Sequence, residues 1–257
     1  MPTLNSWNNE VLAANVTLNG GTCSIGTDAT SGAINIGTGA AARTVTIGNN
    51  VGASSVVVDC GTGALNLGAN AIARTTTLGC TTGAGVLALK YGTGDFTLAS
   101  ATGTVMSALD TGEITFPLQS SFSAYKSATT ANVTGNGAYY SYVCDTEFFD
   151  QNGDYNNGTG VFTAPVTGKY LFNACFLTNN VTKVGEIRLV LISSPASFYY
   201  KVSNPAADTS ANRTFIIDLD AGDTAFPKAY YFGEVGNTVG VHGDGALFTT
   251  FSGHLVC

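Results

Sequence analysis

Between residues 16 and 117 apolar positions come in bursts of three or four, closed by glycine or a small polar residue. Ala33-Ile-Asn-Ile36 and Thr44-Val-Thr-Ile47 alternate apolar with polar side chains. That two-residue period belongs to a strand with one buried face. Comparable runs cover 16–18, 55–58, 64–67, 75–78, 86–89, 95–98 and 113–116. Beyond residue 118 the runs lengthen, at 168–178, 185–192, 198–202, 213–219, 225–233 and 246–256. No stretch carries a helical period, so the pattern predicts an all-β chain whose strands are short first and long later.

The short strands repeat. Residues 32–62 return as 63–93, with Ile36-Gly37 matched by Leu67-Gly68, Arg43-Thr44 by Arg74-Thr75, and Ile47-Gly48 by Leu78-Gly79. Each pair lies 31 residues apart. Tandem units of this size build stacked, elongated architectures. Three short strands per unit predict a three-sided winding, and glycine after many runs supplies positive φ at tight corners. No proline lies between Pro2 and Pro117, which suits unbroken ladders.

Composition sharpens the division. From Asn8 to Lys90 there is no Phe, Trp or Tyr, and after Tyr91 aromatics are common. Each buried aromatic removes roughly 150–250 Å² from water. A segment without them cannot fill a wide core alone, but it can fill a narrow one between intertwined chains. The predicted domains are a lead or attachment segment at 1–15, a β-repeat shaft at 16–117 and a globular head at 118–257. Closed three-fold symmetry would remove the open strand edges of such a shaft.

Charge narrows the function. Ten Lys and Arg stand against seventeen Asp and Glu, a net charge of −7, and no basic run exists to neutralise phosphate, which excludes a nucleic-acid partner. No run of about 20 apolar residues predicts a membrane span. The first twenty residues lack the basic and apolar regions of a signal peptide. Six cysteines (Cys23, Cys60, Cys80, Cys144, Cys175 and Cys257) form no C-x-x-C pair, and free buried thiols are expected.

Few residues suggest chemistry. His242 and Asp244 share the loop Gly240-Val-His-Gly-Asp-Gly245, but no nucleophile signature such as G-x-S-x-G accompanies them, and no enzyme is expected. Asp150-Gln-Asn-Gly-Asp154 begins like a calcium loop, yet the sixth and twelfth positions are Tyr155 and Val161 instead of Gly and Glu. A turn is the expectation there, and no cofactor is predicted. Five N-x-T triplets, at Asn15, Asn132, Asn157, Asn180 and Asn212, are accounted for by a composition rich in Asn and Thr.

A series of motifs spans about 135 residues of the second half. It opens at Phe122-Ser-Ala124, continues through Asn152-Gly153, Tyr155, Gly160-Val-Phe-Thr-Ala-Pro165, Gly168-Lys-Tyr-Leu-Phe172, Leu219 and Gly222-Asp223, and closes on Phe248 and Phe251-Ser-Gly-His-Leu255. In order and spacing it resembles the globular head of complement component one subunit q, which shares the tumour necrosis factor jelly roll. The repeat before it resembles the shafts of phage tail fibres and bacterial adhesins.

The resemblance implies a jelly-roll sandwich head, a homotrimer, and binding loops at the end of the sandwich away from the chain termini. These loops are 178–185, 203–212 and 233–246, carrying Asn179, Asn180, Lys183, Asp208, Glu234, Asn237, His242 and Asp244. The expected whole is a trimeric fibre-tip adhesin at a virion or cell surface, or extracellular, that recognises a cell-surface glycan or protein. The alternatives are a structural spike whose head drives trimerisation and a secreted signalling ligand.

Overall fold

A computed structural model describes residues 93–203, 207–245 and 247–257, with isolated positions at 36, 44, 45, 47, 56–58, 65, 67, 89 and 90. The strands expected at 16–18, 33–36, 44–47, 55–58, 64–67, 75–78 and 86–89, and the winding of the repeat, lie outside the described residues. The chain falls into two compact units, Met1–Gly85 and Val86–Cys257. In the first, the described apolar residues are all exposed, among them Ile36, Ile47, Val57 and Leu67. The second takes in residues 86–117, which the sequence reading assigns to the shaft.

Every regular element among the described residues is a strand. β1 (Phe96–Ser100), β2 (Gly103–Ala108) and β3 (Ile114–Thr115) form a small antiparallel sheet. The expected run at 113–116 is thus only two residues of strand, and β2 is an additional one. Next come β4 (Ser121–Tyr125), β5 (Thr130–Thr134), β6 (Asn136–Ser141), β7 (Thr146–Asp150), β8 (Tyr155–Asn156) and β9 (Val161–Thr163). The long strands follow: β10 (Gly168–Asn179), β11 (Glu186–Ser193), β12 (Ser197–Ser203), β13 (Ser210–Leu219), β14 (Thr224–Phe232), β15 (Val239–Val241) and β16 (Thr250–Leu255).

They make the two layers of a sandwich. One sheet has the order β5-β15-β10-β16-β4-β7, with β13 also pairing β10, and the other is β12-β11-β14-β9-β8. The two-residue period seen in the sequence decides which side chains meet between them. On β10, Tyr170, Phe172, Ala174 and Phe176 are fully buried, while Leu171, Asn173 and Cys175 point to the other face. Phe122, Phe162, Phe172 and Phe251 pack ring against ring, with centroids 5.1–5.7 Å apart in the contacting pairs.

Gly253 is what lets these rings close. It stands between Phe172 and Phe122 in the β10-β16-β4 register. A Cβ there would lie 2.5 Å from the Phe172 ring and 2.9 Å from that of Phe122. The glycine in Phe251-Ser-Gly-His-Leu255 is therefore a packing requirement of the inward face, and His254 beside it is exposed. Cys144 is buried, and burial pushes its thiol up to about 12. Among the described cysteines all three are free thiols.

Candidate functional site

Strand direction gathers the loops. β10, β12 and β14 run toward one end of the sandwich, and β11, β13 and β16 return from it. Register fixes this, since Leu177 faces Ser210 at one end and Gly168 faces Leu219 at the other, and Glu186 faces Phe232 at the loop end. The segments after β10, β12 and β14 consequently share one end, opposite to that at which β4 begins beside His254.

Hydrogen bonds lock these segments to one another. The Val181 N–H donates to Asp208 Oδ1 at 2.9 Å, and Thr178 N–H donates to the Thr209 carbonyl at 3.1 Å. The N–H groups of Thr182 and Lys183 both donate to Glu234 Oε1, at 2.8 and 2.9 Å, and the Thr182 hydroxyl donates to the same carboxylate. Asn180, at φ +69°, donates from Nδ2 to the Thr238 carbonyl at 3.1 Å. The Tyr231 hydroxyl donates to the Lys183 carbonyl from below.

Two glycines permit the close approach. A Cβ on Gly185 would lie 2.3 Å from the Phe232 carbonyl oxygen, and one on Gly233 would lie 2.7 Å from Gly185 Cα. The amides donated by Thr182 and Lys183, with the Thr182 hydroxyl, hold the Glu234 carboxyl below its ordinary value against a smaller opposing effect of burial.

The candidate residues therefore divide by role. Asn180, Asp208 and Glu234 hold the loops in place. Asn179 pairs with Gly240 of β15. Lys183 and Asn237 are exposed; the Lys183 ammonium adds to the lowering of the Glu234 carboxyl, and neither side chain makes one of the hydrogen bonds that brace the loops. Sequence reasoning missed Thr182, Thr209 and Tyr231, because each acts through a partner distant in the chain.

His242 and Asp244 lie apart from this cluster, in the segment between β15 and β16. Thr129 Oγ1 lies 3.3 Å from His242 Nδ1, and Asp244 Oδ2 lies 3.1 Å from Nε2. Both ring nitrogens are thus already engaged. The Thr129 hydroxyl donates to the Gly243 carbonyl at 3.0 Å, and the His242 N–H donates to the Leu177 carbonyl at 2.9 Å. The His242 side chain ties the loop to Thr129 and its backbone N–H ties it to β10, and Gly243 is tightly enclosed, since a Cβ there would lie 2.7 Å from the Ala128 carbonyl oxygen, while Gly245 has open space around it.

The remaining acidic candidates are turns. Asp150 accepts the N–H groups of Gly153, Asp154 and Tyr155 at 3.1, 3.1 and 2.9 Å. Both of its oxygens are thus engaged by backbone amides, the behaviour of a turn-forming Asp. Asp223 accepts the Asp220 N–H at 2.9 Å in the corner between β13 and β14. A hollow of about 400 Å³ opens beside this corner, lined by Lys169, Pro195, Asp218 and Cys257, at the end away from the loops.

The two sheets, their aromatic interior and the common loop end define a jelly-roll domain. Residues 121–256 match the C1q domain family, and the chain belongs to it. Domains of this family are generally non-enzymatic. Among solved structures, the globular domain of zebrafish complement 1qA is 18% identical and covers 54% of this chain and 98% of its own, with a TM-score of 0.40. The crystal structure of murine APRIL at pH 8.5 is 12% identical over 54% of this chain and 99% of its own, with a TM-score of 0.37. No curated protein matches the chain. Among the described residues no helix is long and apolar enough to cross a membrane.

Proposed function

We propose that the protein is a trimeric, fibre-type adhesin whose C1q head recognises a cell-surface glycan or protein through its loop end. The observation that carries this reading is the cross-bracing of the three loops by Asp208, Glu234 and Asn180. Bracing of this kind removes the ordering cost that a flexible loop bears on binding. Side chains left over from it, Lys183 and Asn237, stand on a fixed platform. A rigid scaffold presenting loops is the usual place for recognition.

The experiment is attachment of the full chain to a glycan array and to target cells, with Lys183→Ala/Asn237→Ala beside the wild type. The expected result is at least a roughly tenfold loss of attachment at unchanged oligomer mass and melting temperature. Undiminished attachment sinks the loop-end assignment. No attachment to any surface favours the structural spike, and a cellular response without adhesion favours the signalling ligand.

A further inference from the structure

The outward face of the five-stranded sheet gathers cations and aromatic rings. β11, β12 and β14 carry three of the chain's ten cations (Arg188, Lys201 and Lys228) and one acid, Glu186, in a protein of net charge −7. Register places all four on one face. Lys201, Arg188 and Tyr230 form one cross-strand row, and Tyr199, Val190 and Lys228 form the next. Glu186 lies opposite Phe232 beyond the first row.

Rings and cations are interleaved on this face. The Arg188 guanidinium lies 4.8 Å from the centre of the Tyr230 ring and donates to the Tyr139 hydroxyl at 3.1 Å. The Tyr139 and Tyr230 rings are 4.7 Å apart. Lys228 Nζ is 5.5 Å from the Phe226 ring. Glu186 pairs with Arg188 and, at 2.6 Å, with Lys201. One carboxylate thus orients two cations without cancelling both. Val190 in the middle is fully buried, so the side chains around it are packed, while Tyr139, Tyr199 and Phe232 remain 44%, 61% and 54% exposed.

We infer that this face is a second binding surface, and that its occupant is an acidic polysaccharide, a chain of sugar rings bearing carboxylate or sulfate groups. Charge complementarity sets the sign: two net positive charges face outward from an acidic protein. The rings set the class. The polarised C–H face of a pyranose packs on the electron-rich face of an aromatic ring, and a guanidinium or ammonium beside it pairs with the anion. A protein partner fits less well. The two central cross-strand rows each carry a cation, Lys201 and Arg188 in one and Lys228 in the next, so a dry apolar centre would strand cations without solvent. A hydrated saccharide leaves that water in place. The face reaches the loop end at Glu186 and Phe232, but Lys201, Lys228 and Tyr199 lie on the strands, so variants there test this inference apart from the adhesin reading.

The test uses the full chain on immobilised oligogalacturonate, with neutral dextran and poly-glutamate as comparison surfaces. Oligogalacturonate is bound, dextran is not, and poly-glutamate is bound at least tenfold more weakly, since it offers charge without pyranose faces. Lys201→Gln/Lys228→Gln weakens oligogalacturonate binding about tenfold. Tyr199→Ser weakens it at unchanged charge and salt. Should the double variant melt at a lower temperature, Tyr199→Ser on the edge strand β12 decides alone. Three results overturn the inference: no binding to oligogalacturonate, equal binding to poly-glutamate with Tyr199→Ser silent, or loss in Lys183→Ala/Asn237→Ala with the sheet-face variants unaffected.

Discussion

Phe172 shows how a single side chain's position follows from parity. Its fully buried ring touches those of Phe162, Phe251 and Tyr170, and it has Gly253 across the ladder. Phe172→Ala leaves a hole that fixed strands on both sides cannot close, with an expected cost of about 3–5 kcal/mol by denaturant titration. A midpoint that hardly moves would show the inward face to be wrongly placed. The inward parity of Tyr170 and Phe172 was legible in the sequence, because alternation over twelve residues leaves one register consistent with burial. The role of His242 was not. Its partner Thr129 is 113 residues away, and no local pattern announces a contact of that range.

At the scale of elements, length decided what could be read. β10, β11, β13 and β14 are eight to twelve residues long and show their period. β15 has three residues inside what reads as one loop at 233–246, and exists because Thr178 and Asn179 on one side and β5 on the other accept it. The run at 246–256 is strand only from Thr250; just before it the Thr249 hydroxyl, in place of a backbone carbonyl, accepts the Leu177 N–H of β10 at 3.3 Å. The clamp by Glu234 was legible only as a candidate ligand residue. Its carboxyl is held below the ordinary value near 4.5 by the amide of Thr182 first. A lowered folded value means the clamp is complete above the unfolded value and is lost as pH falls through the lower one. Amide resonances of Thr182 and Lys183 are therefore expected to be constant from neutral pH down to about pH 5 and to shift together below pH 4.5. In Glu234→Gln they take altered positions at pH 7 and show no acid step. An acid step that survives in the variant would assign the titration to another group.

At the scale of the whole molecule the argument turns on surface that a single chain leaves uncovered. Ile36 and its repeat mate Leu67 are 68% and 58% exposed, and Ile47 and Val57 are exposed further still. Scattered apolar residues on a surface are ordinary, but Ile36 and Leu67, like Val58 and Leu89, are exposed pairs 31 residues apart in a segment with no aromatic residue. In the winding that the sequence predicts, positions 31 residues apart would fall on one face and form a repeated stripe. Copies of the chain are the partner whose period matches that stripe, and closed symmetry is how identical stripes bury one another without leaving a free edge. Membership of the C1q family and the stripe predicted from the sequence point to the same assembly from opposite ends of the chain. Light scattering of the full chain is expected to give close to three times 26.3 kDa, and Ile36→Asn/Leu67→Asn is expected to lower the temperature at which that mass is lost. A folded monomer at micromolar concentration would overturn the trimer. A trimer of unchanged stability in the variant would place all of the assembly in the head. In the proposed adhesin, three loop ends engaged together would raise avidity by roughly 10²–10⁴ over one site.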